Sequence, residues 1–402
     1  MHAFSDFDLF NPGEEYQMLR KTVRDFVARE VEPQAQEYDS KEEFNIGLLR
    51  KLGGLGLTGL TVPAQYGGAG MDATAVVIVH EELASSDPGF CLAYLAHTIL
   101  CANNIAVNAN PGQCKKYLPA LCSADAIGAM AISEPGSGTD VLGMSCIAEK
   151  KSDHYIVNGR KMWITNGTID DGKTPCDTLV LYALTKGSPD KKRVSTFIIE
   201  AGFEGFSVGQ KITGKTGMRA SNTAELCFDN CKVPLENLVD EEGESLTHMM
   251  RNLELERVAL AAMSLGIARR SLEIMIKYAD ERKAFGRKIA EFGQIQRYIG
   301  QSYAEYRAAR SYVYNTAREM KLDSAGQRLD SDGVKLFAAR AGKTIADRAI
   351  QVLGGYGYVR EYVVERLWRD AKLLEIGGGT IEAHQKNITR DLLKQTDKII
   401  NF

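Results

Sequence analysis

The sequence predicts an α+β protein of several domains, with an N-terminal helical domain, a central β domain and a C-terminal helical domain. Apolar residues recur at helical spacing through residues 11–126. From Ile127 they form short β-like runs separated by Gly-rich turns, and from Glu244 to about residue 395 the pattern is helical again. Because 402 residues are long for one core, we place the domain boundaries at 1–126, 127–240 and 241–402.

The composition is that of an ordinary globular protein, with 44% hydrophobic and 25% charged residues. A formal net charge of −3 argues against nucleic acid or an anionic membrane as a main partner. We find no apolar run that looks long enough to span a bilayer, so we do not expect a transmembrane protein. The first residues show neither a secretory signal nor an Arg-rich transit peptide.

Cysteine and histidine spacing predicts neither disulfides nor a metal site. The eight cysteines are scattered without a Cys-x-x-Cys pair, and a chain of this length needs no disulfide staples. Cys227 and Cys231 share a β-like stretch but lack the further ligands that zinc requires. We therefore expect all eight thiols to be reduced.

Two local patterns in the first domain concern helix ends. Asn11, Pro12 and Glu14 match the N-cap, N1 and N3 positions of a helix, and Pro33 predicts the next break. The run Gly54–Gly59 matches Gly-x-Gly-x-x-Gly, but residues 44–52 before it have a helical pattern rather than that of a strand. We therefore interpret this run as a helix end and connector, and not as a dinucleotide fingerprint.

Two motifs of the central domain suit a planar ligand. The first, Ala131–Asp140, is an apolar run that ends in a turn of Pro, Gly, Ser and Asp, where glycine lets backbone N–H groups approach a ligand. The second, Lys161–Gly167, places Trp163 near Thr165 and ends in an Asn-Gly turn. Two ordinary hairpin turns are the alternative interpretation. Between these motifs and the next strand, residues 168–177 are predicted to form a surface loop.

Glu256 interrupts an apolar stripe on a predicted helix. The stripe is formed by Met249, Leu253, Leu260, Met263 and Ile267. A carboxylate on a buried helix face is costly, and its raised pKa suits proton abstraction beside a carbonyl. Glu254 lies two residues away, so we expect it on the opposite, solvated face. The alternative is a structural Glu256 that pairs with Arg257 or Arg251.

The two central motifs, in this order, resemble the flavin-binding signatures of the acyl-CoA dehydrogenase family, and the resemblance extends over nearly the whole chain. It implies a central domain that is barrel-like or a sandwich, and a C-terminal four-helix bundle. It also implies an FAD-dependent dehydrogenase of acyl-CoA thioesters that forms a homotetramer and passes electrons to an electron-transferring flavoprotein. The location would be cytoplasmic in a bacterium and the mitochondrial matrix in a eukaryote.

The resemblance also bears on the base. The family's usual C-terminal Glu is replaced by Gly378, whereas residues 253–257 resemble members whose base lies on the earlier helix, just before an Arg. This implies that Glu256 takes the α-proton. Residues 216–223, 369–377 and 93–97 resemble the members that act on isovaleryl-CoA, and Gly378 leaves room for a branch at the β-carbon. Alternatives are a longer, cyclic or aromatic acyl group, an acyl-CoA oxidase, and a catalytically silent flavoprotein that acts as an assembly partner.

The resemblance assigns the remaining site residues. The residues expected to contact FAD are Met130, Ala131, Ile132, Ser133, Gly138, Thr139, Trp163, Ile164, Thr165, Arg282, Gln296, Gln351, Gly354, Gly355, Thr380 and Glu382. Those expected near the substrate are Leu95, Thr139, Lys192, Arg193, Glu254, Leu255, Arg257, Gly378 and Gly379. Arg282 and residues 351–355 would contact the flavin of a neighbouring subunit. Gly293 stands where the family has a flavin-contacting Gln, and either Gln294 or Gln296 is expected to substitute for it.

Overall fold

The computed structural model describes residues 9–185, 193–324 and 326–394, which form helices, then a sheet, then helices again, as predicted. The first helices are α1 Glu14–Phe26, α2 Glu32–Lys41, α3 Ile46–Gly54, α4 Ala73–Ala84, α5 Pro88–Leu95, α6 Asn104–Asn108 and α7 Pro111–Ser123. The π-helical turns Val27–Val31 and Ala96–Asn103 join α1 to α2 and α5 to α6. The connector reading of Gly54–Gly59 is confirmed, because α3 ends at Gly54 and no strand precedes it among the described residues.

Two expectations for the first helices were wrong. Helix α1 begins at Glu14 with Gly13 as its N-cap, because the side chain of Asn11 is used elsewhere, accepting a hydrogen bond from Arg20 Nε at 2.8 Å. Pro33 causes no break either. It lies in the first turn of α2, directly after the π-helical turn, where a missing N–H is tolerated.

One helical stretch, Pro88–Asn108, corrects the expectation about apolar runs. Its 21 residues are long and apolar enough to cross a membrane by length and composition alone. However, 83% of its most apolar window is buried inside the protein. A helix that is buried to this degree belongs to the core of the folded protein.

The central sheet has eight strands: β1 Gly128–Ala131, β2 Ile147–Lys150, β3 His154–Thr165, β4 Thr178–Thr185, β5 Arg193–Glu200, β6 Phe206–Lys211, β7 Thr223–Pro234 and β8 Leu238–Val239. Seven follow the order β6-β7-β3-β2-β4-β5-β8, and β1 pairs with β4 in parallel. The predicted loop at residues 168–177 is confirmed and is organised by Asp170, which accepts backbone hydrogen bonds from Lys173 and Thr174.

Strand β4 separates two apolar cores. Leu179, Leu181 and Ala183 point to one face of the sheet, where they pack in an apolar core formed by residues of the central domain. Val180 and Tyr182 point the opposite way and pack with residues of α7 and of the π-helical turn at 96–103. Such alternation on a strand that is buried on both faces explains why β4 is apolar throughout. The sheet is therefore fixed against the first helical domain.

The last part of the chain is a helical bundle. Its helices are α8 Leu246–Glu281, α9 Gly293–Glu319, α10 Arg328–Leu353, α11 Val364–Leu374 and α12 Ile381–Leu393. A short hairpin of β9 Lys283–Ala284 and β10 Arg287–Lys288 follows α8. Helix α8 packs against α4, α9, α10 and α11, so it lies at the centre of the helical core. The sequence predicts breaks near residues 285–286, 323–330, 354–358 and 377–379, and the helices are interrupted close to each of these places.

A buried ion-pair network ties α1 and α4 to the bundle. Glu82 accepts two hydrogen bonds from Arg269, at 3.0 and 2.7 Å, and also pairs with Arg20. Burial raises the pKa of Glu82, but the attraction of Arg269 and Arg20 outweighs it and lowers the pKa to about 2. The carboxylate therefore stays ionised while it is buried.

We predict that Glu82→Ala lowers the free energy of unfolding by about 3–5 kcal/mol, because Arg269 then loses its buried ion-pair partner and Arg20 keeps only Glu81. Urea unfolding followed by circular dichroism measures this change. Glu37→Ala is the control, since Glu37 and Lys41 form an exposed pair whose removal should leave the unfolding curve in place. Equal effects of the two substitutions would contradict the prediction.

Candidate active site

A buried ion pair joins the two central motifs. Lys161 Nζ donates to Glu134 Oε1 at 2.9 Å and to the carbonyl of Ile132 at 2.8 Å, and Lys161 is 0% exposed. The backbone N–H of Met162 donates to the carbonyl of Ser133 at 2.9 Å. Glu134 also accepts backbone hydrogen bonds from Ser145 and Cys146. The motifs, 27 residues apart, thus form one rigid unit.

Trp163 lies at an irregularity of β3. The register between β3 and β7 shifts between Lys161 and Ile164, and Trp163 has a φ of 65°. This bulge turns the indole outwards, so that Trp163 is 64% exposed while Ile164 is buried. Asn166 follows and donates to the carbonyls of Ala93 and Gly128, at 2.8 and 3.2 Å. A large exposed aromatic on a firmly held strand is the setting of a ligand-contacting side chain.

The turn after Glu134 is open towards solvent. Gly138 and Thr139 are exposed, and a Cβ added at Gly138 would meet no atom within 4 Å. Glu134 and Ser137 exchange backbone hydrogen bonds of 2.8 and 3.1 Å, which fixes the turn. Its exposed backbone and hydroxyls are therefore held ready for a ligand.

The end of β1 reaches the helix that carries Glu256. Asn252, one turn before Glu256 on α8, donates to the Met130 sulfur at 3.7 Å. Asn104 also contacts this sulfur and donates to the Tyr182 hydroxyl at 3.0 Å. The structure therefore places Met130, which is predicted to contact the cofactor, next to α8, the helix that carries the predicted base.

Glu256 is buried, as predicted, and its Oε2 has no hydrogen-bond partner within the described residues. The alternative of a structural ion pair is not observed within the described residues, since Arg257 is directed to Asp332 at 3.2 Å and Arg251 donates to the carbonyl of Asp323 at 3.0 Å. Burial raises the pKa of Glu256 to about 7, against the opposing effects of Arg257 and Lys335. A carboxyl group with a pKa near neutrality is suited to take and return a proton.

The expectation that Glu254 is solvated was wrong. Glu254 is 3% exposed, and its oxygens accept hydrogen bonds from the backbone N–H groups of Gly326 and Gln327, at 3.3 and 3.1 Å. The reason is that the connection between α9 and α10 covers this face of α8. Glu254 thereby holds this connection, whereas Glu256 is directed into the site.

Gly378 faces Glu256, so the two alternative positions for the base meet at one place. A Cβ at Gly378 would lie 3.5 Å from Glu256 Oε1 and 2.3 Å from Leu260 Cδ1. The room that we expected beside Gly378 is therefore filled in part by Leu260. Gly378 and Gly379 have φ values of 66° and 105°, which only glycine adopts without strain.

Sequence reasoning missed a group of charged residues behind this loop. Lys335 Nζ donates to the carbonyl of Gly379 at 3.0 Å, and the ring of His384 packs against Gly379. Asp332 binds both His384 and Arg257. The available signal was the pair Asp332 and Lys335, which stand three residues apart on the buried face of α10.

Arg282 and the glycines after α10 meet on the surface. They line a groove of 630 Å³ whose residues are Tyr278, Arg282, Ile289, Val352, Leu353, Gly354, Gly355, Tyr356, Val359 and Glu361. The guanidinium of Arg282 lies 6.0 Å from the ring of Tyr356. None of these lining residues belongs to the Ala131–Asp140 turn or to β3. The structure therefore groups these predicted residues separately from Ser133 and Trp163.

The other predicted residues are dispersed. Gln351 and Gln296 are exposed, and Gln296 donates to the carbonyl of Ala290. Thr380 caps α12, and Glu382 lies exposed in its first turn. Leu95 and Leu255 are buried in the helical core, and Ala131 and Thr165 end β1 and β3. Lys192 lies outside the described residues, and Arg193 begins β5.

The chain matches three family descriptions in order. "Acyl-CoA dehydrogenase, N-terminal domain" matches residues 13–125, the middle domain matches 129–231, and the C-terminal domain matches 244–393. A mitochondrial isovaleryl-CoA dehydrogenase of Oryza sativa is 41% identical over 96% of this chain and 93% of the relative.

Solved structures agree with these matches. The butyryl-CoA dehydrogenase of Megasphaera elsdenii has a TM-score of 0.89 and 33% identity over 97% of this chain and 99% of its own. An acyl-CoA dehydrogenase of Bacillus anthracis complexed with FAD has a TM-score of 0.88 and 32% identity over 96% of this chain and 68% of its own. The protein belongs to the acyl-CoA dehydrogenase family and is an oxidoreductase of that family.

Proposed function

We propose that this protein is an FAD-dependent dehydrogenase that oxidises the α,β C–C bond of an acyl-CoA thioester, with Glu256 as the base. The observation that carries this proposal is the buried Glu256 carboxyl, which lacks a partner on Oε2 and faces Gly378. Its ionised form removes the α-proton and is protonated by that step. The α C–H is only weakly acidic, so hydrogen bonds to the thioester oxygen are needed. The backbone N–H of Glu256 cannot supply one, because it lies inside α8, where each N–H donates to the carbonyl four residues earlier.

The residues of the central motifs suit FAD. Trp163 offers a planar exposed face, and the open turn at Gly138 and Thr139 offers unhindered backbone and a hydroxyl. Arg282 offers a cation for a diphosphate in the separate groove. When bound, FAD supplies the oxidising chemistry, and the chain supplies orientation and the base.

Two features support a homotetramer in which neighbouring subunits complete the flavin site. The groove around Arg282 and Gly354 is separate from the turn at Ser133, so one chain would hold two incomplete parts. Large aromatics near this groove are exposed, namely Phe285 at 95% and Tyr358 at 86%. Exposed aromatics of this kind are typical of surfaces that a partner covers.

The proposed electron acceptor is an electron-transferring flavoprotein. The proposed location is the cytoplasm in a bacterium or the mitochondrial matrix in a eukaryote.

A short branched acyl group, isovaleryl-CoA first, is the proposed substrate. The Oryza relative supports this choice by its name, and the resemblance of residues 93–97, 216–223 and 369–377 supports it from the sequence. Lys192 and Arg193 are proposed to approach the CoA phosphates, and Thr139, Leu95, Leu255, Arg257 and Gly379 to lie near the substrate. Glu254 is proposed only to hold the loop after α9.

We predict that Glu256→Gln keeps FAD bound but slows flavin reduction by acyl-CoA at least ~100-fold, because the base is lost. Anaerobic stopped-flow bleaching measures this rate. In the unchanged protein the rate should rise through about pH 7 and then level, since the group whose pKa burial raises to about 7 must be ionised. Glu254→Gln is the matched control and should keep most of the rate, because it loses only loop contacts.

The same experiment separates the alternatives. Failure of acyl-CoA to bleach the unchanged protein would contradict the proposed reaction and favour a silent flavoprotein. Rapid recolouring in air would favour an oxidase. Undiminished bleaching of Glu256→Gln would remove Glu256 from its proposed role.

We predict that Leu260→Ala shifts acyl preference towards bulkier groups by roughly tenfold or more, because Leu260 fills the space beside Gly378 and each methylene of fit is worth about 1–3 kcal/mol. A panel of acyl-CoAs assayed with a dye acceptor measures kcat/KM for each. Leu272→Ala, which removes an equally buried side chain of α8, should destabilise the protein without changing the preference. Preference of the unchanged enzyme for straight or cyclic acyl groups would refute the isovaleryl proposal.

We predict that light scattering finds four times the chain mass of 44.2 kDa, and that Arg282→Ala lowers the flavin content while the tetramer persists. The reason is that Arg282 supplies charge to a cofactor held by the neighbouring subunit. Arg318→Ala is the control, since within the described residues Arg318 donates to Glu319 and Asn315 on its own helix α9. A flavin-loaded monomer would contradict this assembly.

A further inference from the structure

Lys335 is an ammonium group in the interior of the protein. It is 0% exposed on α10, although lysine is almost never fully buried without a partner. Its Nζ donates to the Gly379 carbonyl at 3.0 Å, and it forms no ion pair within the described residues. A buried cation with only a carbonyl as its hydrogen-bond acceptor needs a further physical reason.

The carbonyl that Lys335 holds belongs to the loop facing Glu256. Gly379 has a φ of 105°, and Gly378, at 66°, lies against the Glu256 carboxylate. Glycine is flexible, so two successive left-handed glycines do not hold a conformation by themselves. The hydrogen bond from Lys335 therefore fixes the wall opposite the carboxylate.

The charge of Lys335 is also directed at Glu256. Arg257 on α8 and Tyr182 on β4 also interact with this carboxylate, and the ammonium group of Lys335 is surrounded by Asp332 on α10, His384 on α12 and Glu375 at the end of α11. Glu375 pairs with Lys372 at 2.7 Å. Arg257 and Asp332 neutralise one another at 3.2 Å, and Asp332 also holds His384. Of the two cations that act on Glu256, Lys335 is therefore the one without an ion-pair partner among the described residues.

We propose that Lys335 is a positioning residue of the dehydrogenation, which fixes the Gly378–Gly379 loop against Glu256 and whose positive charge favours the ionised form of that carboxylate. This inference rests on the proposed function. Lys335 touches neither the substrate nor the reacting atoms, and it acts through Gly379 and through the field at Glu256.

The titration of both groups agrees with this role. Burial lowers the pKa of Lys335 to about 8, although Glu256 opposes that change. Burial raises the pKa of Glu256 to about 7, and Lys335 is one of the two cations that restrain it. Without Lys335 the pKa of Glu256 rises further, so the base is ionised only at higher pH.

The test compares two substitutions of Lys335 in the flavin-loaded enzyme. Lys335→Met removes the charge and the donor, whereas Lys335→Gln removes the charge and keeps a donor for Gly379. We expect both substitutions to shift the acidic limb of the pH profile of flavin reduction to higher pH by about one unit. At pH values below the limb, this shift makes the rate about tenfold slower than in the unchanged enzyme. Lys335→Met should in addition lower the rate on the plateau, because the loop is released.

Lys343→Met is the matched control, because Lys343 lies on the same helix, interacts with Asp347 and Trp368, and should leave the pH profile unchanged. An unshifted limb in Lys335→Gln would overturn the charge role and with it the proposal. Flavin content and the unfolding midpoint show that each variant is folded. If Lys335→Met does not fold, Lys335→Gln still decides the outcome.

A second readout does not depend on turnover. Infrared titration of the protonated carboxyl band, with Glu256→Gln variants as background, reports the ionisation of Glu256 directly. We expect its midpoint to rise in Lys335→Gln, and an unchanged midpoint would refute the inference. If Glu256→Gln bleaches as fast as the unchanged enzyme, the proposed function fails instead, so the two failures are distinguishable.

Discussion

The buried carboxyl of Glu256 is the constraint on which the site depends. Removing a carboxylate from water disfavours its ionised form, and here burial raises the pKa of Glu256 to about 7. That burial is possible because α8 is enclosed by α4, α9, α10 and α11. The ion pair of Glu82 with Arg269 holds α4 against α8, and its ion pair with Arg20 holds α1 against α4. A network distant in sequence from the site therefore maintains the environment that tunes the base.

The sequence predicted the order of the domains and the buried position of Glu256, because both follow from the local spacing of apolar residues. It failed for Glu254 for the same reason. The argument from one apolar stripe assumes that the opposite helix face is solvated, but α8 is central and the connection at Gly326 covers that face. Periodicity identifies a helix and its most apolar side, and it does not show how many neighbours surround the helix.

The parts that could not be predicted are contacts between distant segments. Glu134 and Lys161 lie in the two recognised motifs, yet their ion pair follows from the tertiary contact between β1 and β3, which are not neighbours in the sheet, and not from either motif. Lys335, Asp332 and His384 come from two helices, so no local pattern joins them to Glu256. Similarly, Asn11 fits the N-cap pattern but bonds to Arg20, because a tertiary partner outweighed the local one.

Gly378 and Glu256 lie next to each other in the folded chain, so the residue at one position limits the residue at the other. A side chain at 378 would begin 2.3 Å from the Leu260 methyl group and 3.5 Å from the Glu256 oxygen. A carboxylate placed at 378 would therefore overlap Leu260 and stand beside a second buried carboxylate, which raises the pKa of both. A base on α8 thus requires a residue without a side chain opposite it, and Leu260 then fills the remaining volume. The location of the base and the shape of the acyl site follow from the same packing.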